Sequence, residues 1–139
     1  MAVNTQFSIA VHLLAGLGRS ADGLVISSQL AHSVNTSPSF IRRVLAKLSK
    51  AGLVITSTGK GGACRLARKA SDISMLEIYR AVDAPKAFAL HAYEPELQCT
   101  VSCHIKKALG NVQNKAQAAF EQSLTGITLA DVIADLKAA

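Results

Sequence analysis

The chain has 139 residues, half of them apolar and few aromatic, and a net charge of +6, which suits one helix-rich domain with a core of modest size. Its three cysteines, an odd number, argue against a secreted disulfide scaffold, and no Lys or Arg precedes Arg19 to supply the basic start of a signal peptide. The apolar run from Ile9 to Leu17 is interrupted by His12 and too short to span a bilayer, so the expected address is the cytoplasm, with no membrane partner.

Charge is unevenly placed along the chain. Residues 1–70 carry nine Lys/Arg against one Asp, whereas residues 71–139 carry six against eight Asp/Glu. The first half is therefore suited to a polyanion and the second is not.

Asn4 or Thr5 is a candidate cap for a first helix presenting Phe7, Val11 and Leu14, which Gly16, Gly18 and Asp22-Gly23 are expected to end. Leu24-Val25-Ile26 reads as a small strand. Ser27 or Ser28 then caps a short helix from residue 29 to 34, and Asn35-Thr36 makes a turn. Ser37-Pro38 opens the most informative element, since serine caps free N–H groups and proline suits the first helical position. Ile41, Val44, Leu45 and Leu48 form its apolar stripe at spacing i, i+3, i+4, i+7. The other face carries Ser39, Arg42, Arg43, Lys47 and Lys50 without a carboxylate. Gly52 stops the helix, and Leu53-Val54-Ile55 begins a strand. The glycine-rich turn Thr58-Gly59-Lys60-Gly61-Gly62 returns the chain into a second strand, residues 63–67. Helix, turn, basic helix, strand, glycine tip and strand together make a winged helix-turn-helix.

Ser74-x-x-Glu77 is a capping box opening a helix through Val82. Residues 86–98 have only weak periodicity and contain His91 and Pro95, and they read as a loop with some local helix. From about Val101 to Leu124 a long helix follows, in which Ile105, Leu109, Val112, Ala116 and Ala119 form a seam suited to another helix. Thr128-x-x-Asp131 caps a last short helix. The expected class is mostly α with a small β-wing. Residues 1–84 would form the DNA-binding winged helix, 85–104 a sensory loop, and 105–139 the dimerisation helix with the C-terminal helix.

In this arrangement Ser37, Ser39, Arg42 and Arg43, with Phe40 beside them, occupy the helix start that reads base edges in the major groove. Lys47, farther along, is a candidate phosphate contact. Ser27 and Ser28 begin the helix that crosses the backbone, where hydroxyls and free N–H groups accept a phosphate. Thr58, Gly59, Lys60 and Gly61 form the wing tip, with Lys60 placed for the minor groove or phosphate, and Arg65 and Arg68 extend the positive surface. The bland alternative, a solvated basic helix, does not explain the complete element order or the missing acids. The glycine turn lacks the G-x-x-x-x-G-K-[ST] pattern of a nucleotide cradle.

The segments SPSFIRRVLAKLSKAGLV, GKGGACRLAR, ISMLEIYRAVD and ITLADV, in this order, make the chain similar to the Rrf-two (IscR, NsrR and CymR type) family of winged-helix regulators nearly end to end. The resemblance implies a homodimer paired through the long helix, bound to a palindromic operator and acting as a repressor. Two departures stand out: Ala63-Cys64 where the family often has glycine and tyrosine, and Thr58 where it often has arginine. Cluster-binding members place three cysteines before and into the long helix, whereas this chain has only Cys99 and Cys103 there.

Cys99 and Cys103 therefore leave three readings open. They are sensing thiols, since a helix N-terminus with His104, Lys106 and Lys107 nearby favours thiolate. Alternatively they hold a metal or iron–sulfur cluster with His104 or His91, although C-x-x-x-C is an uncommon zinc spacing. Or they are small residues left at an ancestral sensor site. Cys64 reads as packed into the base of the wing. No oxyanion loop, paired carboxylates or cofactor fingerprint supports an enzyme, and Cys103 and His104 are helix neighbours that point about 100° apart. A thiol or metal carrier without DNA binding is the remaining alternative.

Overall fold

The computed structural model describes residues 4–20, 25–57 and 63–138. They form two compact units, residues 1–84 with 124–139 and residues 85–123. In the first unit, α1 (Gln6–Arg19), β1 (Val25–Ile26), α2 (Ser27–Val34), α3 (Pro38–Lys50), β2 (Val54–Thr56) and β3 (Ala63–Leu66) follow the expected order. A single 3-10 turn (Ala70–Asp72), α4 (Met75–Ala81) and, after the long helix α5 (Thr100–Thr125), α6 (Leu129–Ala138) complete the chain.

The sheet has strand order β1-β3-β2, all antiparallel. Val25 lies opposite Cys64, and Val54, Ile55 and Thr56 lie opposite Leu66, Arg65 and Cys64. Alternation then separates the faces: Val54 and Cys64 turn into the core, while Ile55 and Arg65 turn to solvent. The helices supply the rest of the core. Leu13, Leu14 and Leu17 of α1 pack with Ile41 and Leu48 of α3, Ile78 of α4 and Leu129 of α6, all 2 % exposed or less.

Two helix limits differ from those read in the sequence. α1 continues through Gly16 and Gly18 to Arg19. Glycine costs a helix only about 1 kcal/mol, and here close packing accounts for one of them: a Cβ on Gly18 would sit 2.6 Å from Ile133 Cδ1 of α6. α2 begins directly after β1, with Ile26 in the N-cap position, so Ser27 and Ser28 are its first two helical residues. Gln29 Oε1 accepts the Ile26 N–H at 3.4 Å. No local helix forms in residues 86–98.

The other local signals operate as their chemistry dictates. The Phe40 N–H donates to Ser37 Oγ (3.3 Å) with Pro38 in the first turn. Asn35 takes φ 67°, a left-handed conformation asparagine tolerates, and Gly52 takes φ 79°. At α4, the Glu77 N–H donates to Ser74 Oγ (3.2 Å) and the Ser74 N–H to Glu77 Oε1 (3.3 Å). The start of α6 is closed in the same way by Thr128 and Asp131. It is also tied to α4 through Met75 N–H to Ile127 O and Leu129 N–H to Ile73 O, both 2.8 Å.

In the second unit, residues 85–98 are held by polar side chains of α5. The Gln113 amide donates to Phe88 O (2.7 Å), Lys106 Nζ to Tyr93 O (2.7 Å), and Gln117 Oε1 accepts the Ala87 N–H (2.9 Å). Gln117 is the buried residue of α5.

Candidate nucleic-acid interface

The helix-turn-helix is built from α2 and α3, which pack together through Leu30, Ala31, Ile41 and Leu45. That packing leaves the N-terminal face of α3 in solvent: Ser37, Ser39, Arg42 and Arg43 are exposed. Arg43 lies over the Phe40 ring, its Cζ 5.4 Å from the centroid, a cation–π contact on the exposed side of α3. Arg42 shares a cleft of about 240 Å³ with Ser27, at the start of α2, and Thr56, at the end of β2. Ser28 is exposed beside Ser27. A cation, a hydroxyl at a helix N-terminus and a second hydroxyl thus converge from three elements. Thr56 was not anticipated; only the sheet register brings it beside α3.

Three predicted cations are placed differently from one another. Lys47 is half-buried and its Nζ donates to Gln6 Oε1 of α1 at 2.7 Å, so it is held against the body of the unit. Arg68 is committed within the unit: it donates to Asp72 O (3.2 Å) and forms an ion pair with Glu77. The bond from the Arg68 guanidinium keeps the Glu77 carboxyl below the ordinary carboxylate range, against a smaller opposing effect of burial. Arg65, by contrast, is exposed on β3. Thr58, Gly59, Lys60 and Gly61 lie outside the described residues.

Cys99 occupies the position before the first residue of α5, and its Sγ accepts the Ser102 N–H at 3.4 Å. The Cys103 N–H donates to Cys99 O (3.0 Å), so the two thiols stand one helical turn apart, and both residues are exposed. Cys103 Sγ lies 3.5 Å from the carbonyl oxygens of Glu96 and Leu97. His104 is exposed beside them, and His91 contacts the Tyr93 ring at a centroid distance of 6.3 Å. Among the described residues no three His, Cys, Asp or Glu side chains gather as a metal site. Cys64 is fully buried and donates to Val25 O at 3.2 Å, and its burial pushes the thiol up from its ordinary value. A single chain therefore offers two accessible thiols, short of the donor set an iron–sulfur cluster requires.

Along α5, Ile105 and Leu109 are half-buried, while Val112, Ala116 and Ala119 are exposed. Val101 and Phe120 extend the same stripe at helical spacing, and Val101, Val112 and Phe120 are 66, 53 and 38 % exposed.

A family model, Rrf2, described as an iron-dependent transcriptional regulator, matches residues 3–135. YwnA of Bacillus subtilis, named among the HTH-type transcriptional regulators, is 36 % identical over 132 residues, covering 94 % of this chain and 96 % of the relative. A solved transcriptional regulator from Lactobacillus plantarum is 26 % identical at TM-score 0.81, covering 96 % of this chain and 90 % of its own. IscR of T. potens is 25 % identical at TM-score 0.69, over 98 % of this chain and 88 % of its own.

Proposed function

The chain belongs to the Rrf2 family of DNA-binding transcriptional regulators, not enzymes, and on that premise we propose that it acts as a homodimeric repressor at a palindromic operator. The observation that carries this reading is the exposed start of α3, where Arg43 lies over the Phe40 ring and Arg42 shares a cleft with Ser27 and Thr56. Arg43 reads a base edge in the major groove, most simply guanine through its two acceptors. Ser37 and Ser39 contact bases or nearby phosphates. Arg42, Ser27 and Ser28 grip one phosphate, whose charge also suits the N-terminus of α2. Arg65, with Lys60, Thr58, Gly59 and Gly61 of the wing, follows the adjacent backbone. Lys47 supports this surface through its bond to Gln6 and meets DNA only if that bond is released.

Dimerisation is supported by α5. A helix of 26 residues with Gln117 as its buried residue lacks the intrachain packing that usually stabilises such a length. Pairing of Ile105, Leu109, Val112, Ala116 and Ala119 with a second copy removes that stripe from water, and the small residues allow close approach. Two α3 helices related by a two-fold axis then meet successive major grooves.

Cys99 and Cys103 form the regulatory pair. Hydrogen peroxide oxidises the two thiols as its O–O bond breaks, one S–S bond forms and two waters leave. The bond withdraws Cys99 Sγ from the Ser102 N–H and removes the cap of α5. A cluster sensor, which the iron-dependent description of the family suggests, would need donors beyond Cys99 and Cys103, such as His91, His104 or a group from the second copy. Selection from random duplexes tests the main reading. An inverted repeat bound by two chains is expected; a selected half-site bound by one chain contradicts the dimeric operator, and selection of no sequence contradicts base readout.

A further inference from the structure

Arg43, the proposed base reader, has a second cation one turn farther along α3. Lys47 follows Phe40 and Arg43 at spacings of seven and four, so the three share one face of the helix, and its Cα stands about 6 Å beyond that of Arg43 along the axis. From there a free ammonium on its four-carbon stem reaches the phosphates that border a groove filled by α3. The ammonium is instead engaged. Its Nζ donates to Gln6 Oε1 at 2.7 Å, across a sequence separation of 41, and both residues are half-buried. The acceptor stands on a fixed base. Gln6 is the first residue of α1, its N–H donates to Asn4 Oδ1 at 2.9 Å, and its neighbour Phe7 meets the Tyr79 ring of α4 edge-on at a centroid distance of 5.8 Å.

We propose that Gln6 is a specificity-determining residue that acts through Lys47, holding its ammonium off the DNA backbone; this assignment rests on the DNA-binding reading above. A hydrogen bond from an ionised donor is stronger than one between neutral groups, so the lysine is retained by more than packing of its stem. The chemistry of the acceptor matters too. An amide holds the cation without placing a negative charge beside the phosphates, as a carboxylate there would. Contacts to phosphate carry no sequence information and favour every duplex alike. In a complex with no base contact to fix the seating of α3, a released Lys47 adds its phosphate contact in full. On the operator, Arg43 sets that seating first, and a released Lys47 gains less. Retention of Lys47 therefore weakens binding to arbitrary sequences more than binding to the operator.

The test compares the full-length parent with Gln6→Met, which keeps the length of the side chain and loses its acceptor. Each is titrated with the selected operator and with a duplex of scrambled sequence across a range of salt concentrations. On the scrambled duplex Gln6→Met should bind roughly tenfold more tightly than the parent at about 0.1 M salt, with log K falling more steeply against log salt by about two, one phosphate on each of two protomers. The ratio of operator to scrambled affinity should fall severalfold. In a Lys47→Gln background the same substitution should change neither quantity, and Gln6→Glu, which restores an acceptor, should return the parent slope; a merely structural part for Gln6 produces neither result. The proposal is overturned by a Gln6→Met slope equal to that of the parent, by a steeper slope that persists without Lys47, or by a Gln6→Glu slope like that of Gln6→Met. Operator binding that stays intact beside any of these leaves the DNA-binding reading standing, whereas a parent that binds no duplex removes both.

Discussion

Replacing Val112 by aspartate probes the seam of α5 where it is most open. Val112 is 53 % exposed in the single chain, so pairing would bury about half a valine side chain, worth about 1 kcal/mol per protomer at the usual value for apolar burial. In a two-fold interface the substitution counts twice, and it also brings two unpaired carboxylates into an apolar seam at several kcal/mol. A total loss of at least ~4 kcal/mol raises the dimer dissociation constant about a thousandfold. Sedimentation velocity across a dilution series reads this directly, with Asn114→Asp, an exposed change on the far side of the helix, as the control. The variant should be monomeric at concentrations where the parent and control are dimeric, and its operator affinity should fall with its dimerisation. If Val112→Asp and Asn114→Asp dissociate over the same range, the α5 seam is not the interface.

Arg43→Ala should cost ~1–3 kcal/mol on the selected operator and flatten preference at one base position, seen by comparing point-mutated duplexes. Phe40→Ala, which removes the ring beneath the guanidinium, should show a smaller loss at the same position. The depressed Glu77 carboxyl stabilises the fold above its ordinary titration range, and this contribution disappears as pH falls through the lowered value. The difference in thermal midpoint between the parent and Glu77→Gln should therefore be largest near neutrality and shrink below about pH 4. Gln117→Leu keeps the helix but loses the acceptor for the Ala87 N–H, so amide exchange should quicken in residues 86–93 while α3 keeps its protection. Mild peroxide should alter operator affinity in the parent and not in the Cys99→Ser, Cys103→Ser double variant; an identical response in both excludes the thiol pair as the switch.

The parts of the fold that could be read along the chain are those where one local signal dominates. Ser37-Pro38 and the Ile41, Val44, Leu45, Leu48 stripe define α3 by capping and period alone, and Ser74 with Glu77 does the same for α4. Reading failed where tertiary contact overrode local preference. Gly16 and Gly18 look like helix terminators, yet α1 runs through them as α6 packs close at Gly18. At the candidate surface the cations could be read along the chain, but their intrachain partners could not. Nothing local distinguishes Lys47 and Arg68 from Arg42 and Arg43; the first two are claimed by Gln6 and Glu77 at sequence separations that no periodicity reports. Thr56, Gln113 and Gln117 carry no signature of their own, and their roles follow from strand register and from the course of residues 85–98 beside α5.

The central claim, that paired winged units hold duplex DNA through the start of α3 and the wing, is tested most directly by operator affinity across a range of salt concentrations. Arg42, Lys60 and Arg65 on each of two protomers give about six phosphate contacts, so log K should fall against log salt with a slope near −5. Arg65→Gln should make that slope shallower by about two, one phosphate on each protomer. Affinity independent of salt, or no binding to any duplex at low ionic strength by either the reduced or the oxidised protein, would contradict the claim.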